Sequence, residues 1–124
     1  MERPTTANPL LILAMDQRDS FAKLFGTEEH EASPEQVEQM RAAKTLVYRG
    51  VAAVADQVRG ARIGVLTDEE YGSAVLEEAH ADGRVLAYPV EKSGQKLFDL
   101  QYGDETPAHI ERWHPDYVKV LVRM

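Results

Sequence analysis

The chain has 124 residues, enough for one domain with a real hydrophobic core, and 14 basic against 21 acidic residues give a net charge of -7. This acidic balance argues against nucleic acid as the main partner, whereas a locally basic site for an anionic small molecule stays open. The absence of cysteine excludes disulfides, thiolate metal sites and cysteine nucleophiles.

Residues 1–9 contain two prolines and two threonines and are predicted to be a lead-in segment before a single domain over residues 10–124. They show neither the basic start nor the apolar stretch of a signal peptide. No apolar run in the chain approaches the length of a membrane span. We therefore expect a cytoplasmic protein without a membrane partner.

The first predicted strand is Leu10–Met15, and a short helix is expected within the polar and aromatic stretch 19–31. Ser33, Pro34 and Gln36 then predict a helix start, because serine can cap, proline fits the first turn and glutamine can complete a capping box. Apolar residues at helical spacing predict one buried stripe and a helix that continues until Gly60; they are Val37, Met40, Val47, Val51, Val54 and Val58.

The remaining predicted elements alternate in the same way: a strand Ile63–Thr67, a helix Gly72–Ala81, a strand Val85–Val90, a helix Pro107–Trp113 and a strand Tyr117–Met124. Short apolar strands separated by helices predict right-handed crossovers and a parallel α/β sheet. A flavodoxin-like response domain has the same alternation. It would have an acidic cluster after the first strand and a phosphoacceptor aspartate on the third strand, which in this chain ends in Glu91 and Lys92.

Each predicted strand ends in ionisable residues, and in α/β folds ligands meet the carboxyl ends of the strands. The first strand is followed by Asp16, Gln17 and Arg18, the second by Asp68, and the third by Glu91 and Lys92. We therefore predict a small-molecule site at this edge, with these residues as candidates. Asp16 can act as an acid or base or simply pair with Arg18, and Asp68 can instead cap the next helix.

The last strand places Lys119, Leu121 and Arg123 on one face and three valines on the other. We expect the valine face to pack against helices and Lys119 with Arg123 to point into the opposite side of the sheet. A lysine inside a sheet is either paired, which makes it a substrate or carboxylate contact, or has a lowered pKa, which makes it a possible nucleophile.

The sequence predicts no metal and no cofactor. The four histidines lack metal-ligand spacing, and His109 and His114 are expected at surface or packing positions. Fingerprints of dinucleotide binding, of a P-loop and of a serine nucleophile elbow are all missing from the residues.

Four motifs in fixed order resemble the aldolase-like domain that is fused to 5-dehydro-2-deoxygluconokinase in bacterial inositol catabolism. More distantly they resemble class I tagatose-1,6-bisphosphate aldolases. The resemblance covers about residues 10–124, and its motifs are Leu13–Arg18, Gly64–Gly72, Pro89–Gly94 and Val118–Arg123.

The resemblance implies a (β/α)8 barrel that cleaves a phosphorylated keto-sugar through a lysine Schiff base into a dihydroxyacetone phosphate-like product and an aldehyde. Asp16 would transfer protons and Lys119 would contact substrate, with Gln17 and Arg123 beside them. The Schiff-base lysine belongs to a later strand of such barrels. We therefore expect this chain to correspond to the N-terminal half, about four β/α units, and to be nearly inactive alone.

The non-enzymatic alternative is a half-barrel that pairs with itself or with another chain and only binds ligand. Its motivation is that the first and fourth strands would be open edges, and open edges invite strand pairing.

Overall fold

The computed structural model describes residues 2–123 and contains one sheet of four parallel strands in the order β1-β2-β3-β4. The strands are β1 (Leu10–Ala14), β2 (Arg62–Leu66), β3 (Val85–Pro89) and β4 (Tyr117–Lys119). The helices between them are α1 (Asp19–Leu24), α2 (Pro34–Ala55), α3 (Glu69–Ala81) and α4 (Thr106–Trp113). The predicted α/β fold with parallel strands is confirmed. Within residues 2–123, no helix is both long and apolar enough to cross a membrane.

The register of the sheet brings the carboxyl ends of the strands to one edge. Ala14 of β1 lies opposite Leu66 of β2, Leu66 lies opposite Ala87 of β3, and Pro89 lies opposite Lys119 of β4. The residues that follow β1, β2 and β3 therefore emerge close together, as expected of a parallel sheet.

The main core lies between one face of the sheet and the helices α2 and α3. Its buried members lie on β2, β3, α2 and α3 and in the residues just after β1 and β3: Met15, Tyr48, Val65, Val75, Leu76, Ala79, Leu86, Tyr88 and Val90. Burial of apolar side chains is the dominant favourable term in folding. This core therefore fixes the three strands from which most of the site residues emerge.

Helix α2 begins as the sequence predicts. The Ser33 side chain accepts a hydrogen bond from the Gln36 backbone N–H at 3.1 Å, and the Gln36 side chain accepts from the Ser33 N–H at 2.9 Å. The predicted end was wrong, because the helix stops at Ala55. Gly60 has a φ of 75° and serves the turn that leads into β2 instead.

The buried face of α2 differs from the predicted valine stripe. The helix buries Met40, Lys44, Tyr48 and Ala55, four positions that repeat at four- and seven-residue steps. Val47 and Val54 are 50% and 49% exposed. Hydrophobic periodicity found a helix but chose the wrong face, because Tyr48 and the stem of Lys44 pack inward in place of the valines.

The fourth strand is shorter than predicted, since regular pairing ends at Lys119. Val90 still donates to the Lys119 carbonyl, but Glu91 then turns away to form an antiparallel bridge with Leu100. Residues 120–123 consequently have no neighbouring strand. The expected packing of the valine face is also wrong, because its residues are 44–63% exposed: Val118, Val120 and Val122. Met124 lies outside the described residues.

We predict that Gly72→Ala lowers the free energy of unfolding by about 1–3 kcal/mol, as expected of overpacking in a core. A methyl group at Gly72 would lie 2.1 Å from Thr67 Oγ1, and Thr67 is fully buried. Urea denaturation measures the change. Gly50→Ala is the matched control, because no atom lies within 4 Å of its added methyl. Equal stability of the two variants would contradict the close packing of α3 against the end of β2.

Candidate active site

Lys119 lies at the centre of a charged cluster at the carboxyl edge of the sheet. Its Nζ donates a hydrogen bond of 2.8 Å to Asp16 Oδ2 and a second hydrogen bond to Glu91 Oε1. Asp16 follows β1, Glu91 follows β3 and Lys119 ends β4, so three strands contribute to one group of ions. The structure thus brings together Asp16 and Glu91, which the sequence predicted at strand ends, and Lys119, which it predicted inside the last strand.

The contact between Lys119 and Asp16 also reports the shape of the sheet. Strands β1 and β4 are its two edges, three strand spacings apart. In a flat sheet that separation would be about 14 Å at the usual spacing. Asp16, two residues beyond β1, nevertheless meets Lys119 in a direct hydrogen bond, which indicates that the sheet curves toward the cluster.

The amine of Lys119 is held in its charged form. Burial by itself would lower the pKa of Lys119, but the hydrogen bonds to Asp16 and Glu91 outweigh it, and the pKa is raised. The sequence left two possibilities for Lys119, a paired lysine or a lysine with a lowered pKa, and the geometry supports the paired lysine. A protonated amine is a hydrogen-bond donor and a counter-ion, and it is not a nucleophile.

Arg18 holds Glu91 in its place in the cluster. Its guanidinium donates to the Glu91 backbone carbonyl at 2.9 Å and lies 3.6 Å from the Glu91 carboxylate. It also donates to the Asp16 backbone carbonyl at 3.3 Å. Both side chains of the Arg18–Glu91 pair are almost fully buried. Arg18 therefore links the segments that follow β1 and β3.

A second, deeper ion pair supports Asp16 and was missed by the sequence reasoning. Lys44 of α2 donates to the backbone carbonyls of Met15 and Gln17, each at 2.8 Å, and to the Asp68 carboxylate. Asp68 also caps α3 by accepting from the Tyr71 N–H at 2.8 Å. The available signal was the position of Lys44, four residues from both Met40 and Tyr48 on one helical face.

The charged cluster opens into a cavity of about 380 Å³. The cavity is lined by the charged residues Asp16, Arg18, Glu91 and Lys119 and largely by the connection after β3. Candidates placed at the cavity by the structure include Gln17, Lys92 and Arg123. Asp68 is buried beside Lys44 and does not line the cavity. It caps α3 instead, which is the alternative role that the sequence offered for it.

Three basic residues stand around the cavity without an ion-pair partner among residues 2–123: Lys92, Lys96 and Arg123. Lys96 was not predicted. It lies in the connection after β3, whose start and end are held together by a hydrogen bond of 2.8 Å from the Lys92 N–H to the Asp99 carbonyl. This acidic protein is therefore locally basic around the cavity.

Behind the sheet, Glu69 gathers three donors at the start of α3. Its carboxylate accepts from Tyr88 Oη at 2.6 Å, from Trp113 Nε1 at 3.0 Å and from His109 Nδ1. Burial alone would raise the pKa of Glu69, but these hydrogen bonds outweigh it and lower the pKa. The ring of Tyr102 stacks on His109. These contacts attach α4, and the connection that precedes it, to the back of β3.

Comparison with known proteins assigns the chain to one family. Residues 1–124 match the model of a family described as "Uncharacterized protein conserved in bacteria (DUF2090)", and the chain therefore belongs to it. No curated protein and no solved structure matches the chain significantly. Because the family description names no activity, the resemblance to aldolases stays a prediction.

We predict that Lys44→Met lowers the free energy of unfolding by about 3–5 kcal/mol, the usual cost of leaving one member of a buried ion pair alone. Both side chains are only 3% exposed, so water cannot replace the lost amine. Urea denaturation measures the loss, and adding Asp68→Asn should recover part of it, since a neutral amide needs no counter-ion.

The matched control for this prediction is Lys23→Met in the exposed pair with Asp19 on α1. This variant should leave stability unchanged within error, because exposed ion pairs contribute little. Equal losses in the two lysine variants would contradict the supporting role of Lys44.

Proposed function

We propose that this member of the DUF2090 family carries part of the active site of a class I aldolase-type lyase that cleaves a phosphorylated keto-sugar. The products would be a dihydroxyacetone phosphate-like fragment and an aldehyde. The observation that carries this proposal is the position of Lys119 between Asp16 and Glu91, at the open end of a parallel sheet. These residues belong to the motifs on which the resemblance rests.

In this proposal Lys119 acts as a cation. Its charged amine would hold a hydroxyl or carbonyl oxygen of the substrate, while Asp16 accepts the hydroxyl proton that is lost when the carbon–carbon bond breaks. The nucleophilic lysine would come from outside these 124 residues. The raised pKa of Lys119 supports this division, since Schiff-base formation needs an unprotonated amine.

The curvature of the sheet supports the barrel that the proposal requires. Four parallel strands whose edge residues Asp16 and Lys119 touch enclose a space on the face opposite α2 and α3. In (β/α)8 barrels the active site lies at the carboxyl ends of the strands, as the charged cluster does here. An eight-stranded barrel would need four further strands.

The cavity rim supports an anionic substrate. Lys92, Lys96 and Arg123 bring positive charge to the opening of a protein whose net charge is -7. Their side chains are exposed at the opening, where charge attracts oppositely charged ligands and raises their local concentration. A phosphorylated sugar fits this arrangement better than a neutral one.

A second candidate function is assembly, favoured by the apolar residues on the two edge strands. Leu11 and Ile12 of β1 are 49% and 40% exposed, and Val118 of β4 is 44% exposed. Leu121 and Val122, just beyond β4, are exposed as well. A chain with this edge composition can pair with a second chain through β1 and β4.

We predict that Lys119→Met weakens binding of dihydroxyacetone phosphate, used as the probe, by about tenfold or more, because hydrogen bonds to charged groups contribute about 1.5–3 kcal/mol. Isothermal titration calorimetry measures the affinity. Arg49→Met, in an exposed ion pair with Glu78 outside the cavity lining, should bind as the wild type does, and Arg123→Met tests the basic rim independently.

Two results would contradict the proposed roles. Unchanged affinity in Lys119→Met would remove the lysine from the binding site. Borohydride reduction in the presence of a keto-sugar phosphate should leave Lys119 and Lys92 unmodified. A stable adduct on either lysine would show that the nucleophile lies within this chain.

The assembly candidate predicts that the mass of the chain rises with protein concentration in sedimentation equilibrium. Leu11→Lys and Val118→Lys should each reduce association, because charge on an edge strand opposes pairing. Leu24→Lys is the control, since Leu24 is 79% exposed on α1, away from both edges. A folded chain that stays monomeric at all concentrations would reject this candidate.

A further inference from the structure

A second cluster of ionisable side chains lies apart from the cavity, where the connection between α1 and α2 meets the start of α3. It consists of Glu29, His30 and Glu70. One ligand atom from each residue lies within 4.8 Å of the other two. His30 Nδ1 is 3.0 Å from Glu70 Oε1, and His30 Nε2 is 3.6 Å from Glu29 Oε2. None of the three lines the cavity.

The Glu29 carboxylate in this cluster is buried but not fully hydrogen-bonded. Its side chain is only 7% exposed, and Oε1 is buried without a hydrogen-bond partner. Glu70 Oε2 is likewise buried without a partner. Buried polar atoms are nearly always satisfied, and an unsatisfied oxygen of a carboxylate is costly. The cluster therefore offers two carboxylate oxygens that are free to accept from, or bind to, a further group.

The charges around these oxygens favour a cation. The two carboxylates bring two negative charges to one partly buried place, and among residues 2–123 His30 is the one basic side chain within 4 Å of both. A cation bound to both carboxylates would remove their repulsion.

We propose that Glu29, His30 and Glu70 form a binding site for a divalent transition-metal ion, with Zn²⁺ as the probe. Carboxylate oxygen and imidazole nitrogen are both zinc donors, and three protein ligands leave a fourth position for water. The imidazole favours a transition metal over Mg²⁺ or Ca²⁺, which prefer oxygen ligands alone.

The bound ion would link two segments that are 40 residues apart in the sequence. Glu29 and His30 precede α2, whereas Glu70 lies in the first turn of α3, two residues after the Asp68 cap. A metal at this place would stabilise the packing of the α1–α2 connection against α3. The proposal does not depend on the aldolase function, because it uses no residue of the cavity.

The test is isothermal titration calorimetry of the full chain, without an affinity tag, with ZnCl₂ at pH 7.5. We expect binding of one Zn²⁺ per chain. His30→Asn and Glu70→Gln should each weaken it by at least about tenfold, since even changes next to metal ligands cost 10–100-fold. Asparagine is chosen because His30 has a φ of 68°, a conformation that asparagine tolerates.

The matched control is His114→Asn. His114 is also an exposed histidine with a positive φ, 47°, but no carboxylate lies within ion-pair distance of it in the described part of the chain. This variant should bind Zn²⁺ as tightly as the wild type. In addition, Zn²⁺ should raise the midpoint of thermal unfolding of the wild type and of His114→Asn, and a chelator should reverse the rise.

Three results would overturn the proposal. The wild type would take up no Zn²⁺ at millimolar concentration, or His30→Asn and Glu70→Gln would bind it unchanged, or His114→Asn would lose binding equally. Glu29→Gln is the second variant should Glu70→Gln fail to fold, because Glu29 lies in a connection outside the helices. Circular dichroism establishes that each variant compared is folded.

Discussion

The structure depends on one buried ion pair, between Lys44 of α2 and Asp68 at the end of β2. The lysine ammonium has three protons, and each of them has an acceptor: the carbonyls of Met15 and Gln17 and the Asp68 carboxylate. Buried charges are tolerated when they are paired and fully hydrogen-bonded, as here. The pair joins α2 to the segment after β1 and to the end of β2, and Asp16 lies between the two residues whose carbonyls it holds.

Lys44 and Lys119 are both paired, but they differ in whether a ligand can reach them. The Lys44 side chain is 3% exposed and all of its donors are used within the protein. The Lys119 side chain is 29% exposed and faces the cavity, with Asp16 and Glu91 as its partners. A ligand oxygen can therefore reach the second lysine and cannot reach the first.

The two edges of the sheet are open surfaces to which the described residues add no further strand. β1 and β4 have a strand neighbour on one side only, and both expose aliphatic side chains. Apolar side chains on an open strand edge favour pairing with further strands, whether in a barrel or in an assembly. The aldolase proposal and the assembly proposal both use this surface, and they differ in what is expected at the cavity.

The sequence by itself determined the parallel α/β fold, most element boundaries to within about three residues, the capping box at Ser33 and the gathering of Asp16, Glu91 and Lys119. These features are local, or they follow from the rule that parallel strands end at one edge. Only the tertiary structure decided which face of α2 is buried, that Lys44 holds Asp68, and that Glu29, His30 and Glu70 meet. Periodicity shows that a helix has an apolar stripe but not which neighbour it packs against, and long-range contacts between charges depend on that packing.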